Sequence, residues 1–257
     1  MVNVTETALD KLEKPDLVLQ ENLLPSTGNA SKCFRYLELG ITPVKYVIME
    51  KILQFLKYIL DENMESMISQ VYHEQKKESR KGDFFNMVSK DMNEVDITMT
   101  DFEIRNMSKQ KWKRLCKDKT NNKAFLDLIK ENSQKEKTKD IQFECLEMSE
   151  YLKENEKTSL SKIIFLLRSG TLDIKKWNSW KYDDNLCVMC DIKEENITHF
   201  LECTEYGNKH IEIDEIYTQN TENQFLIAKQ VEERILMRKL KLEAGLDSPT
   251  PGSSAPT

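Results

Sequence analysis

Three cysteines and a histidine fall between residues 187 and 203 in the pattern Cys-x2-Cys-x8-His-x3-Cys, as Cys187, Cys190, His199 and Cys203. Nothing else in the chain restricts its folding so tightly. Two cysteines two residues apart can grip one cation from a compact turn, with both sulfurs about 2.3 Å from the metal. Val188 and Met189 keep that turn small. His199 and Cys203 are four apart, so a helix through Ile197, Phe200 and Leu201 presents both toward the turn. Asp191 to Asn196 is polar and short, fit for a hairpin or loop between the halves. Four protein ligands leave no position for water, so the spacing predicts one structural Zn2+ rather than a catalytic one. His210 is an alternative fourth ligand, and the competing reading is of reduced cysteines packed as small hydrophobes.

The other cysteines, Cys33, Cys116 and Cys145, are scattered, which fits a reducing intracellular compartment, cytoplasmic or nuclear, rather than a disulfide framework. With 32% charged residues and only 7 Gly and 6 Pro in 257 residues, the expected fold class is mainly α. No run approaches the roughly 18 apolar residues of a membrane span, and no basic-then-apolar leader opens the chain.

Spacings of three and four place Val44, Ile48, Ile52, Phe55 and Ile59 on one helical stripe, widened by Leu56 and Leu60 and predicted to be core. Met64, Met67, Ile68, Val71 and Tyr72 continue the period into a second helix, until Gly82. Thr100 and Glu103 have capping-box spacing, and Ser108 is placed to cap a longer basic helix that Asn121-Asn122 is expected to break. The polar run 130–140 reads as an exposed linker. Ser159 to Ser169 is a strongly apolar helix stopped by Gly170, expected to lie under the zinc unit. Phe225, Ile227, Val231, Ile235 and Leu242 mark a last helix, whose acids precede its bases.

A glycine-rich phosphate loop, Gly-x-Ser-x-Gly and His-Glu-x-x-His are all missing from the sequence. Tyr182-Asp183-Asp184 lacks the spacing of a polymerase metal pair and is read as shaping the turn into Cys187. From Arg105 to Lys123 eight basic residues face one acid, Asp118, although the whole chain is acidic at −6. Lys109, Lys111, Lys113, Arg114, Lys117, Lys119 and Lys123, with Trp112 as an aromatic platform, fit a phosphate-binding face; a solvated helix face fits too. Trp177 and Trp180 stand just before the first cysteine, where packing over the zinc unit is favoured over base stacking. Residues 187 to 216 are acidic, with Lys193 and Lys209 against eight acids.

In order along the chain come Tyr36-Leu-Glu-Leu-Gly40-Ile-Thr-Pro43-Val44 and the Tyr46 to Leu60 helix, Lys81-Gly-Asp83-Phe with Lys90-Asp91, and Met107-Ser-Lys109. Phe165-Leu-Leu-Arg168-Ser-Gly-Thr, Lys181-Tyr-Asp-Asp and the Cys-Cys-His-Cys motif follow. Over roughly residues 10 to 215 this succession resembles the C-terminal region of non-LTR (LINE-type) retrotransposon reverse transcriptases. The resemblance implies Cys187, Cys190, His199 and Cys203 as zinc ligands in a knuckle that helps hold template RNA or target DNA, with nearby basic residues on the nucleic acid. The paired aspartates of the polymerase palm are not among these 257 residues, so no enzyme activity is expected.

The expected organisation is a poorly structured segment (1–30), a helical domain (31–155), a helix with the zinc unit (156–216), a C-terminal helix (217–245) and a disordered tail (246–257). The expected function is a zinc-stabilised, non-catalytic module binding RNA or single-stranded DNA, without membrane or small-molecule substrate. The alternatives are a scaffold that docks a protein partner through the C-terminal helix, or an expressed relic of such an element.

Overall fold

A computed structural model describes residues 6–24, 30–154, 158–207, 211, 214–217 and 220–246. The chain is mainly helical, and among the described residues the only β pairing is one antiparallel bridge between Leu186 and Glu194. No helix there is long and apolar enough to cross a membrane. The expected disordered tail and the alternative ligand His210 lie outside the described residues. The chain divides into two compact units. The first takes Met1–Asn22, Lys32–Lys135 and Phe143–Met148; the second takes Leu23–Ser31, Glu136–Gln142 and Ser149–Thr257.

The first unit holds α1 (Glu6–Leu23), α2 (Lys32–Leu39), α3 (Val44–Asp61), α4 (Met67–Lys77), α5 (Phe84–Glu94), α6 (Asp101–Asn106) and α7 (Lys109–Asn132). Contrary to the expected loose N-terminus, α1 is helical although Pro15 lies inside it. Proline in a helix interior costs about 3 kcal/mol and reads as a stop, which hides this helix in the sequence. The core is built where α3 meets α5, α6 and α7, while α2 packs on α7 and α4 on α5. Both local start signals are realised: Thr100 and Glu103 complete a capping box on α6, and the Ser108 hydroxyl accepts from the Lys111 N–H at the head of α7.

Four expectations in this unit need correction. The expected α3 stripe holds in part: Leu56, Ile59 and Leu60 are buried and Ile52 packs against the core, but Phe55 is 39% exposed, and Tyr46, Met49 and Leu53 complete the buried face. Val47, Phe55 and Tyr58 extend the apolar surface of that helix beyond the buried face, so the partner settles which part faces inward, with the Trp112 indole N–H donating to the Leu53 carbonyl at 2.9 Å. In α4, Tyr72 is buried while Met67 and Val71 are exposed. Asn121-Asn122 does not break α7, because the Asn121 side chain accepts from the Thr42 hydroxyl at 2.9 Å and does not compete for its own backbone. The supposed linker 130–140 is not uniformly exposed, since Asn132 ends α7 buried and Thr138 is buried in the second unit.

The second unit contains α8 (Glu150–Lys153), α9 (Thr158–Arg168), α10 (Ile197–Glu202), α11 (Asp214–Tyr217) and α12 (Thr221–Leu246). The apolar helix α9 buries Ile163, Ile164, Phe165 and Leu167 and packs on α8, α11 and α12. Gly170 ends it as expected, at φ +64°, with the Thr171 N–H returning to the Leu166 carbonyl at 2.9 Å. The Arg168 guanidinium is buried and donates to the Ile216 carbonyl at 3.0 Å.

Candidate metal centre

The hairpin before α10 is short. Glu195 N–H donates to the Asn185 carbonyl and Cys187 N–H to the Lys193 carbonyl, each at 2.7 Å. Between those rungs the chain turns through Cys187-Val-Met-Cys190, with the Asp191 N–H returning to the Cys187 carbonyl at 2.9 Å and Asp191 itself at φ +53°. Aspartate is among the few residues that adopt this left-handed geometry readily, because its short side chain can bond locally. Asn196 then caps α10, its side chain accepting from the His199 N–H at 2.8 Å, and Cys203 ends the helix with its N–H on the His199 carbonyl at 2.7 Å.

Hairpin and helix together bring the Cys187, Cys190, His199 and Cys203 ligand atoms within 4.8 Å of one another. Cys187 Sγ lies 3.9 Å from Cys203 Sγ, and Cys190 Sγ lies 3.3 Å from His199 Nε2. The six cysteines form no disulfide, so these four side chains could hold a metal ion. Cys187 and Cys203 are buried, Cys190 and His199 half-buried. Burial pushes the Cys187 thiol up, against the N–H groups of Cys190 and Met189. At Cys190 the smaller burial is outweighed by the N–H groups of Lys193 and Ile192 and by His199, which bring its thiol down to about 6. Backbone amides aimed at sulfur favour thiolate, the form that binds a cation.

Around the cluster, side chains of α12 grip the unit. Arg234 donates to the carbonyls of Phe200 at 2.7 Å and Cys203 at 3.4 Å, and Lys241 to that of Met189 at 2.6 Å. Between them Arg238 forms a two-pronged pair with Glu195, Nε to Oε1 at 3.0 Å and Nη2 to Oε2 at 2.9 Å. The same carboxylate accepts from the N–H groups of Lys175 at 2.8 Å and Val188 at 3.4 Å, and Glu195 has no exposed surface. Arg234, Arg238 and Lys241 are four and three residues apart, one face of the helix, so bases that read as helix-surface charges instead grip both halves of the cluster. The signal in the sequence is that 4-3 spacing of bases beside an acidic segment.

Asp184 shapes the turn into Cys187 as expected, accepting from Lys175 Nζ at 2.7 Å and the Leu186 N–H at 2.8 Å. The side chain of Trp177 lies outside what is described, but Trp180 is 76% exposed with Lys181 Nζ 5.2 Å from its ring centre, against the expected packing. On α7, Trp112 is 1% exposed in the core of the first unit and is no platform for a base. Proximity in sequence groups it with the lysines, whereas the helix turns it inward, away from them. Lys109, Lys111, Lys113, Arg114 and Lys117 are exposed; Lys119 and Lys123 are half-buried, and Lys123 pairs with Asp127 at 2.9 Å. Compared with known protein families, with curated proteins and with solved structures, the chain matches none.

Proposed function

We infer that the protein is a zinc-stabilised, non-catalytic module that binds single-stranded nucleic acid, RNA or DNA, and that it derives from the C-terminal region of a LINE-type reverse transcriptase. The observation that carries the reading is the convergence of three sulfurs and one imidazole nitrogen. A tetrahedral zinc with ~2.3 Å sulfur and ~2.0 Å nitrogen bonds has sulfur–sulfur edges of about 3.8 Å and sulfur–nitrogen edges of about 3.5 Å. The spacings of 3.9 and 3.3 Å lie close to both. A softer donor set suits zinc above calcium or magnesium. Three thiolate ligands also need a reducing environment, which favours the cytoplasm or nucleus.

Nucleic-acid binding is supported by the exposed run on α7, where Lys111, Lys113, Arg114 and Lys117 project from one helix and, among the described residues, only Arg114 has an acid near, Asp118 at 3.7 Å. A second reading, a scaffold for a protein partner, is favoured by the exposed Trp180 and by Ile192, 78% exposed within the hairpin.

Native mass spectrometry with and without a single-stranded RNA, at two salt concentrations, tests both. The expected result is one bound zinc and an RNA complex whose affinity falls about fifty-fold between 50 and 200 mM salt, the slope of about four phosphates neutralised. Replacing Lys111, Lys113, Arg114 and Lys117 by Ala should flatten that slope. One zinc without RNA binding supports the scaffold, and absence of zinc would overturn both readings.

A further inference from the structure

A cavity of about 350 Å³ lies in the first unit, against the ends of α3 and α5. Its walls are of two kinds. Met49, Ile52 and Met87 give it an apolar side, and Asp91, Lys81 and Lys90 give it charge. Lys45 and Glu94 also line it but satisfy each other at 2.5 Å. Asp91 is different. It is 9% exposed, and among the described residues its carboxylate accepts no hydrogen bond. An acid this buried is normally paired or hydrogen-bonded, because stripping water from a charge is costly. Burial, with Glu94 beside it and against Lys90 and Lys45, pushes the Asp91 carboxyl up to about 6, so near neutral pH it is ionised at a cost. Lys81 and Lys90 are exposed and form no ion pair among the described residues, although Lys90 is close enough to Asp91 to favour its charged form.

We propose that this cavity binds a guanine mononucleotide, with the base on Met49, Ile52 and Met87, its N–H edge on Asp91, and its phosphate on Lys81 and Lys90. A carboxylate has two acceptor oxygens and no donor. Among the nucleobases guanine alone sets two N–H donors side by side. Adenine and cytosine place a ring acceptor next to their amino group, and that acceptor repels a carboxylate. The volume sits at the lower end of small-ligand sites, roughly 300–1,000 Å³, too roomy for an amino acid and suited to one nucleotide. A site that combines an apolar wall with few convergent polar groups is the usual form of such pockets. The site shares no lining residue with the metal centre or the basic face of α7, and needs neither for its chemistry.

Isothermal titration calorimetry on the whole 257-residue chain, loaded with zinc, tests it with GMP, AMP and inorganic phosphate as probes. GMP should bind one to one, AMP at least about tenfold more weakly, a difference of about 1.4 kcal/mol, and phosphate alone without measurable heat. Asp91→Asn should lower GMP affinity by about tenfold or more, since the amide donates where two acceptors are needed. The double variant Lys81→Ala with Lys90→Ala, both at exposed positions, should lower it severalfold with an unchanged circular dichroism spectrum. Absence of saturable GMP binding, equal affinity for GMP and AMP, or unchanged GMP affinity in folded Asp91→Asn would each overturn the proposal.

Discussion

The two units reach compactness by different means. The first is a helical core in the ordinary sense: Leu53, Leu56, Ile104, Trp112, Cys116 and Ala124 interdigitate between α3, α6 and α7, and the deeply buried polar contact at its centre is an indole N–H on a helix carbonyl. The second has an apolar half, where α9 packs on α12, and a polar half, where four candidate ligands, one buried glutamate and three bases hold a hairpin to a helix. A segment of about twenty residues buries too little apolar surface to offset its ordering, so cross-links carry it. A mainly hydrophobic core tolerates loss of one contact by repacking; a polar hub does not, because each group left behind is desolvated and unpaired.

Removing the metal should separate the two most sharply. If the quartet holds zinc as proposed, apparent binding energies of about 10–16 kcal/mol match or exceed the whole stability of most domains, so chelation should unfold the hairpin and α10 outright. Hydrogen exchange with and without chelator reads this: amides of residues 185–203 should lose protection while those of α3 and α7 keep theirs. Equal loss in α3 would mean that the units do not stand apart energetically. The converse perturbation is Trp112→Ala, which empties the largest fully buried side chain of the first unit and should cost about 3–5 kcal/mol. Its urea midpoint should fall with zinc stoichiometry unchanged at one; loss of zinc as well would break the comparison from the other side.

What could be read from the sequence follows the same division. The convergence of Cys187, Cys190, His199 and Cys203, the Thr100–Glu103 box, the Ser108 cap and the Gly170 stop were legible because each involves residues within seventeen positions or fewer, so spacing alone dictates geometry. The mainly α class followed from composition and period. Which side of α3 faces inward was legible only in part, because Val47, Phe55 and Tyr58 widen its apolar surface beyond the face that Leu56, Ile59 and Leu60 bury. Nor was the role of Trp112 or of Glu195. Glu195 and Arg238 are 43 residues apart, and charged residues are so rarely buried that each reads as surface by itself. The fold inverted two ordinary expectations here, burying a glutamate and exposing a tryptophan, Trp180.

Glu195 therefore gives the next test. Arg238→Met leaves a fully buried carboxylate with only two amide donors and should destabilise the second unit by about 3–5 kcal/mol. Adding Glu195→Leu to it removes the stranded charge and should recover much of that loss, although the Lys175 and Val188 N–H groups then lose their acceptor. Thermal melting followed through zinc release distinguishes the cases. If the single and double variants melt alike, the pair does not anchor α12 to the hairpin by charge and the contrast between the units weakens.

The smallest effect belongs to the first unit and has the opposite sign. The Asp91 carboxyl stands at about 6 in the folded chain against 3.8 for an ordinary aspartate. The folded state thus holds a proton that the unfolded state has released across that interval, so stability falls as pH rises from about 4 to 6 and stays lower above it. A difference of that size between the folded and unfolded chain is worth about 2–3 kcal/mol. Asp91→Asn cannot ionise and should escape the decline: urea midpoints of parent and variant should nearly coincide at pH 4, while at pH 8 the variant should be the more stable. The same difference at both pH values would show that the carboxylate is not held at a cost. A substitution that strengthens the fold at pH 8 and at the same time abolishes GMP binding would mark Asp91 as a group retained for its ligand, since packing alone would have favoured its neutral isostere.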